Sequence, residues 1–267
     1  MNNINKTCWG LRVTACMKVV LLIILGALFF AIWAKILGVF DRVAVIVEPV
    51  LENGEYLIYT SADLKIMADL VNGTASRDAK YRLMEDINLD GIDVPWLPIG
   101  VNTTVFFNGE FNGDGHTIRN FVINRDSYFV GLFGVVSGDA QISDLKVISF
   151  DIRGKSNVGG LVGRNYGQIN TSYARGAVSG DANVGGLVGM NSGGKISASY
   201  ATGVISGYFD IGGLVGGNNG TISTSYASGS VSGDVESGGG FKNDNIGGLV
   251  GRNWSGEIGR ASCRERV

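Results

Sequence analysis

Apolar and small polar residues alternate in three similar segments of the chain. The segments read GQINTSYARG, GKISASYATG and GTISTSYASG, and they begin at Gly167, Gly194 and Gly220. A period of two is typical of a strand with one side in a core and one side in water, and the high glycine content excludes a helix. The predicted inward set is Ile169, Thr171, Tyr173, Ile196, Ala198, Tyr200, Ile222, Thr224 and Tyr226. The predicted solvent-facing set is Asn170, Ser172, Ser197, Ser199, Ser223 and Ser225.

The same pattern returns at a nearly constant interval. Isoleucines at equivalent positions are separated by 24, 27, 27, 26 and 36 residues; they are Ile118, Ile142, Ile169, Ile196, Ile222 and Ile258. The longest interval contains an insertion, 234–244, whose composition predicts a surface loop. Periods of this length indicate stacked units, none of which buries its apolar face alone. We therefore predict an all-β fold, a parallel β-helix (β-solenoid) with about three sides per coil and coils about 4.8 Å apart.

Stacked coils bring identical residues into columns. Asn165, Asn191, Asn218 and Asn253 each follow a Gly-Leu-Val-Gly by two positions, which predicts an asparagine ladder at one corner. The isoleucines Ile169, Ile196 and Ile222 are predicted to line the shaft. Tyr173, Tyr200 and Tyr226 share their parity, which favours a core or corner stack over a sugar-binding platform.

One short segment departs from strict alternation. Val158, Leu161 and Val162 face inward together only if the chain bends at Gly159-Gly160.

Residues 55–125 read as a small mixed α/β segment that caps the repeats of residues 126–256. A helix is predicted to begin near Thr60 or Ser61 and to end at Asn72-Gly73. Its apolar face consists of Leu64, Met67, Ala68 and Val71. Strands and Asn/Asp-Gly turns follow in KYRLMEDINL and FNGEFNGDGHTIRNFVI.

The N-terminal part has a different composition. Residues 19–40 carry a single charge, Lys35, and a helix of that length spans roughly 33 Å, enough to cross a bilayer. Residues 1–18 are basic and are predicted to be cytoplasmic, with a linker at 41–54 and the rest of the chain outside. Two interpretations stay open, a membrane anchor and a cleaved signal peptide, for which Met17 is an alternative start. The absence of a clear A-x-A site slightly favours the anchor. Both interpretations place the repeats at the cell envelope, membrane-anchored or secreted to the surface.

Charge and composition narrow the function classes. The formal net charge is −2 and no Lys/Arg-rich run occurs, which argues against nucleic-acid binding. The cysteines, Cys8, Cys16 and Cys263, all lie outside the repeats, so no disulfide framework is expected there. His116 is the only histidine and no H-E-x-x-H occurs. We therefore predict no catalytic residue, no metal site and no cofactor.

The repeats resemble a known family. GGLVG at Gly159, Gly185, Gly212 and Gly247, with VGLFG at Val130, is similar to the GLUG-motif repeats of bacterial surface proteins. The resemblance covers about residues 55–256 and implies a surface location. Related repeats occur in adhesin-like proteins and beside the catalytic domain of metalloproteases that cleave immunoglobulin A.

The last residues, IGRASCRERV, break the repeat. They back-translate to ATC GGA AGA GCG TCG TGT AGG GAA AGA GTG, which is similar to a common short-read sequencing adapter read in frame. We therefore predict that residues 257–267 are an assembly artefact and that the natural protein continues past residue 256.

Together these patterns predict a surface-exposed, non-enzymatic repeat module, a stalk or adhesin-like region of a larger protein. Its expected partners are the membrane, through residues 19–40, and an extracellular protein or glycan. The alternative is an accessory region of a larger secreted protease or polysaccharide-active enzyme. A β-helix that itself cleaves polysaccharide ranks third, because its strand faces lack clustered acids and bases.

Overall fold

Short strands make up nearly all of the part of the chain that the structure describes. The computed structural model describes residues 49–91, 96–233 and 245–264. The first elements are β1 (Val50–Glu52), β2 (Glu55–Ile58), α1 (Ser61–Asn72), β3 (Lys80–Leu83), β4 (Ile87–Asn88), β5 (Glu110–Asn112), β6 (Thr117–Asn124), β7 (Tyr128–Val130), β8 (Phe133–Val136), β9 (Gln141–Ser143), β10 (Lys146–Arg153), β11 (Ser156–Gly159) and β12 (Val162–Asn165). The later ones are β13 (Gln168–Asn170), β14 (Tyr173–Gly185), β15 (Val188–Asn191), β16 (Lys195–Ser197), β17 (Tyr200–Gly212), β18 (Val215–Asn218), β19 (Thr221–Ser223), β20 (Tyr226–Gly233), β21 (Ile246–Gly247), β22 (Val250–Asn253), β23 (Glu257–Ile258) and β24 (Ser262–Arg264).

The strands form three sheets that run along one solenoid. Sheet A has the order β1-β2-β3-β5-β9-β13-β16-β19-β23, and sheet C has the order β22-β18-β15-β12-β8. Sheet B has the order β24-β20-β17-β14-β10-β6-β4, with β7, β11 and β21 paired beside this path. All pairs are parallel except β1 with β2. Because the chain visits the sheets in turn, the predicted parallel β-helix is confirmed, with about six turns.

Equivalent residues of successive coils lie opposite one another. Ile169 pairs with Ile196, and Ile196 with Ile222. All three isoleucines are fully buried. Ile258 is 42 % exposed, because β23 is the last strand of sheet A among the described residues. The shaft is therefore lined by the predicted isoleucines, except at its last described rung.

The predicted bend at Gly159-Gly160 is present. β11 ends at Gly159 and β12 begins at Val162, and Val158, Leu161 and Val162 are all fully buried. A Cβ on Gly159 would lie 2.3 Å from the carbonyl oxygen of Val162. Glycine is needed here because two backbone segments touch at the bend.

The predicted helix is confirmed in its bounds and its buried face. Thr60 is the N-cap, and it forms a reciprocal capping box with Asp63. The buried face consists of Leu64, Met67, Ala68 and Val71. At the other end, Asn72 Nδ2 donates to the carbonyl oxygen of Pro98 at 3.1 Å, and Asn72 Oδ1 accepts from the Gly100 N–H at 2.8 Å. These two bonds fasten the helix to the solenoid.

The predicted division into an inward and a solvent-facing set is wrong from the third residue after each Gly-X pair onward, that is, from Thr171, Ala198 and Thr224. Thr171, Ala198 and Thr224 have φ values of 47°, 48° and 49° and are exposed. A residue in the left-handed region turns the chain, so the alternation changes phase at that point. The following serines Ser172, Ser199 and Ser225 are consequently buried, and the tyrosines after them are only half-buried.

Several predictions fall on residues that the structure does not describe. The basic segment 1–18, the membrane or signal helix 19–40 and the insertion 234–244 lie outside the described residues. Within the described ranges, no helix has the length and apolarity needed to span a membrane. Of the predicted linker, Val50–Glu52 forms β1 and pairs antiparallel with β2. In the C-terminal segment, β23 and β24 pair with β19 and β20, and the adapter origin of residues 257–267 stays a prediction.

Candidate functional site

Four asparagines form a continuous hydrogen-bonded column, called here the asparagine column (Asn165, Asn191, Asn218 and Asn253). Nδ2 of Asn165 donates to Oδ1 of Asn191 at 2.9 Å, and Nδ2 of Asn191 donates to Oδ1 of Asn218 at 2.9 Å. Nδ2 of Asn218 then donates to Oδ1 of Asn253 at 2.8 Å. Each amide therefore connects its coil to the next.

The same amides close the corner of their own coil. Asn165 Nδ2 also donates to the carbonyl oxygen of Gly167 at 3.2 Å, and the Gly167 N–H donates back to Asn165 Oδ1 at 3.1 Å. Asn218 and Gly220 repeat this arrangement. The first three members of the column are fully buried, so complete pairing avoids the free-energy cost of burying an unpaired amide.

A second buried polar column lies at the corner between sheets A and B, the serine column (Ser172, Ser199 and Ser225). The Ser172 N–H donates to Ser199 Oγ at 3.1 Å, and the Ser199 N–H donates to Ser225 Oγ at 3.2 Å. Each hydroxyl donates in turn to the carbonyl oxygen two residues earlier, at 2.7–2.8 Å. Sequence reasoning placed these serines in water, although the recurrence of Ser-Tyr in three successive copies marks the position.

A third column, the Asx corner, comes just before each Gly-Gly bend. Its members have φ values of 50–68°, and they are Asn157, Asn183, Asp210 and Asn245. Asn245 Nδ2 donates to Asp210 Oδ1 at 2.8 Å. Sequence reasoning missed this column, yet an Asn or Asp precedes every Val/Ile-Gly-Gly-Leu-Val-Gly. These two residue types tolerate left-handed backbone geometry better than other side chains do.

The predicted tyrosines stack on the outside of sheet B, the tyrosine column (Tyr173, Tyr200 and Tyr226). The ring centroids of Tyr173 and Tyr200 are 4.2 Å apart, and those of Tyr200 and Tyr226 are 4.7 Å apart. The Tyr173 hydroxyl hydrogen-bonds with Thr202 Oγ1 at 2.8 Å. Burial raises the pKa of the Tyr200 phenol, and repulsion by ionised Tyr226 and Tyr173 raises it further.

Replacing Tyr200 with phenylalanine is expected to make stability less sensitive to alkaline pH. The raised pKa means that the folded protein holds the phenolic proton more tightly than the unfolded chain, whose tyrosines titrate near pH 10. This contribution to the free energy of unfolding is complete below about pH 10 and is lost as pH rises through the folded-state pKa. Urea unfolding at pH 8 and pH 11 checks it. If the free energy of unfolding fell equally between pH 8 and pH 11 in the wild type and in Tyr200→Phe, the pH dependence would not come from Tyr200.

The only histidine of the sequence, His116, lies beside an aspartate. His116 Nδ1 lies 3.6 Å from Asp86 Oδ1, and both side chains are partly exposed. Within the ranges that the structure describes, no group of three or more His, Cys, Asp or Glu side chains is placed to hold a metal ion. The predicted ladder residues contact their equivalents in neighbouring coils, through amide hydrogen bonds in the asparagine column and ring stacking in the tyrosine column.

The fold of this chain resembles that of one protein of known structure. The chain is similar to the crystal structure of a Bacteroides ovatus protein described as a candidate immunoglobulin A1 protease, with a TM-score of 0.55 over 78 % of this chain and 74 % of that one. The identity is 18 %, so the similarity shows a shared solenoid fold and no more. No family model matches the chain.

Two curated relatives match part of the sequence. A protein of Evansella cellulosilytica described as a candidate Gly-rich membrane protein is 33 % identical over an alignment of 158 residues that covers 54 % of this chain and 18 % of the relative. Halomucin of Haloquadratum walsbyi is 36 % identical over an alignment of 136 residues that covers 48 % of this chain and 2 % of that protein. The chain thus spans less than a fifth of either relative. The assignment to the GLUG-motif family stays a prediction.

Proposed function

We propose that the repeats are a surface-exposed, non-enzymatic binding module of GLUG type within a larger protein, brought to the envelope by residues 19–40. Four GGLVG copies and the apolar segment 19–40 support this proposal, as does similarity to a relative described as a membrane protein. Both relatives are much longer than this chain, which fits a module within a larger protein.

One observation carries the binding role. The buried isoleucine, asparagine and serine columns repeat the same residue, whereas the column directly beside the asparagines changes from coil to coil. That column reads Arg164, Met190, Gly217 and Arg252. A scaffold that keeps its supporting residues and varies its solvent-facing ones is suited to presenting a particular surface to a partner.

Intact-cell labelling tests the location. An epitope tag inserted after Gly138, an exposed position at which a Cβ would meet no atom within 4 Å, is expected to be labelled by antibody on intact bacteria that produce the full chain. Residues 19–40 direct export in this proposal, so a variant without them is expected to be labelled only after lysis. If the tagged chain that retains residues 19–40 were labelled only after lysis, the proposal would be overturned.

The second candidate is an accessory region of a larger secreted enzyme. The fold shared with a candidate immunoglobulin A1 protease favours it. Re-sequencing the locus with a different library chemistry separates the two candidates. A catalytic motif downstream of residue 256 supports the enzyme, and further repeats or a wall-anchoring signal support the binding module.

A further inference from the structure

A polar cleft of about 340 Å³ opens on the outside of sheet B. One wall is formed by Asn124, Arg153 and Ser179, which lie opposite one another in β6, β10 and β14. Asp181 and Tyr208 also line the cleft. The cleft is distinct from the stacked columns, since none of their residues lines it.

The floor of the cleft is backbone. Gly154 and Gly180 direct their Cα hydrogens inward, because a Cβ would lie 2.7 Å from Val130 Cγ2 at Gly154 and 2.8 Å from Val158 Cγ2 at Gly180. Gly207 pairs with Gly180 in the next coil. These positions face the core, so main chain forms the floor of the cleft, and the glycine column continues to Gly207 along the solenoid axis.

The charged side chains that line the cleft have no net charge. Arg125 and Arg153 are cationic, and Asp126 and Asp181 are anionic. Among the described residues, none of these four has an oppositely charged group within 4.0 Å. Arg153 Nε donates to Ser179 Oγ at 3.4 Å. Most of the guanidinium donors and carboxylate acceptors of the cleft are therefore available to solvent or to a ligand.

This chemistry selects among ligands. The two carboxylates cancel the attraction of the two arginines for a polyanion, and an apolar ligand would desolvate four charged groups without compensation. A hydroxyl group both donates to a carboxylate and accepts from a guanidinium. The ring of Tyr208 adds a flat apolar surface for the C–H face of a sugar ring. The volume lies within the usual range for ligand sites.

We propose that the cleft binds a neutral linear polysaccharide whose chain lies along the solenoid axis, over Gly154, Gly180 and Gly207. The inference deepens the proposed function and rests on it, because it names the ligand class of the binding module.

Calorimetric titration of the purified 267-residue chain tests the inference. The probes are the β-1,4-linked hexasaccharides of glucose, xylose and mannose, with hexagalacturonate as the anionic contrast. At least one neutral hexasaccharide is expected to bind. Asp181→Ala and Tyr208→Ala are each expected to weaken that binding about tenfold, the effect of losing a charged hydrogen bond or a stacked ring. Tyr166→Ala is the control, because it removes a tyrosine ring that lies outside the cleft.

Three results would overturn the inference: no binding of any neutral hexasaccharide, tighter binding of hexagalacturonate, or unchanged affinity in both cleft variants. Thermal unfolding of each variant establishes that it is folded. Binding in solution does not depend on cellular location. Surface labelling without sugar binding therefore removes only this inference, and failure of surface labelling removes the proposed function.

Discussion

Gly185→Ala is expected to destabilise the solenoid by about 3 kcal/mol or more. A Cβ at this position would lie 2.1 Å from the carbonyl oxygen of Val188, 2.7 Å from the Gly216 nitrogen and 2.9 Å from the carbonyl oxygen of Leu214. All three are backbone atoms, so no side-chain rotation relieves the overlap. Over-packing of this kind typically costs about 1–3 kcal/mol, and more where backbone must move. Chemical denaturation, with the midpoint and slope fitted together, measures the effect.

Gly138→Ala is the matched control. Gly138 is exposed and a Cβ there would meet no atom within 4 Å, so the substitution is expected to be neutral or to stabilise by up to about 1 kcal/mol. The difference between the two variants isolates the steric effect of the bend from the general effect of removing a glycine. Equal stability of the two variants would contradict the close backbone approach at the Gly-Gly bend.

The second large effect is expected at the centre of the asparagine column. Asn191→Ala removes the acceptor for Asn165 Nδ2, the donor to Asn218 Oδ1 and the donor to the carbonyl oxygen of Gly194. Because the site is fully buried, water does not replace these partners. A buried polar group left unpaired costs about 1–3 kcal/mol, so we expect a loss of about 2–4 kcal/mol.

Asn253→Ala serves as the control for position in the column. Asn253 is exposed, and its Nδ2 donates to the carbonyl oxygen of Gly256 at 2.9 Å. Solvent reaches this end, so a loss of about 1 kcal/mol or less is expected. Urea unfolding of both variants gives the comparison. If Asn253→Ala were as destabilising as Asn191→Ala, burial would not be the reason that the column stabilises the fold.

The repeat period was sufficient to predict the architecture. The nearly constant spacing of Ile169, Ile196 and Ile222 indicates stacking in register whatever path the chain takes between them. The asparagine positions follow from the same argument, because a similar spacing places Asn165 over Asn191 wherever the corner lies. Periodicity across coils is thus a robust signal.

Periodicity within a coil was less reliable. The alternation from Ile169 to Tyr173 assumes extended backbone throughout, but Thr171 is left-handed and the phase changes there. Threonine and alanine rarely adopt that conformation, so nothing in residue type marks the turn. The stacked corner imposes it through tertiary contacts, including the buried Ser172 N–H bond to Ser199 Oγ.

The polar cleft was not predicted from the sequence for a related reason. Its walls combine Asn124, Arg153 and Ser179, which occupy one register position in three coils but differ in type. A search for recurring residues passes over such a position. Only the register of the sheets shows that Arg153, Asp181 and Tyr208 line one cavity.

The parallel stacking has a consequence for reach. A typical coil uses 26 or 27 residues and advances the shaft by only about 4.8 Å, whereas a helix of that length would extend about 40 Å. About six turns therefore span roughly 30 Å. A solenoid therefore gains much less axial length per residue than a helix does. Each added coil instead contributes a new strip of lateral surface, on which different side chains are displayed at fixed heights along the axis.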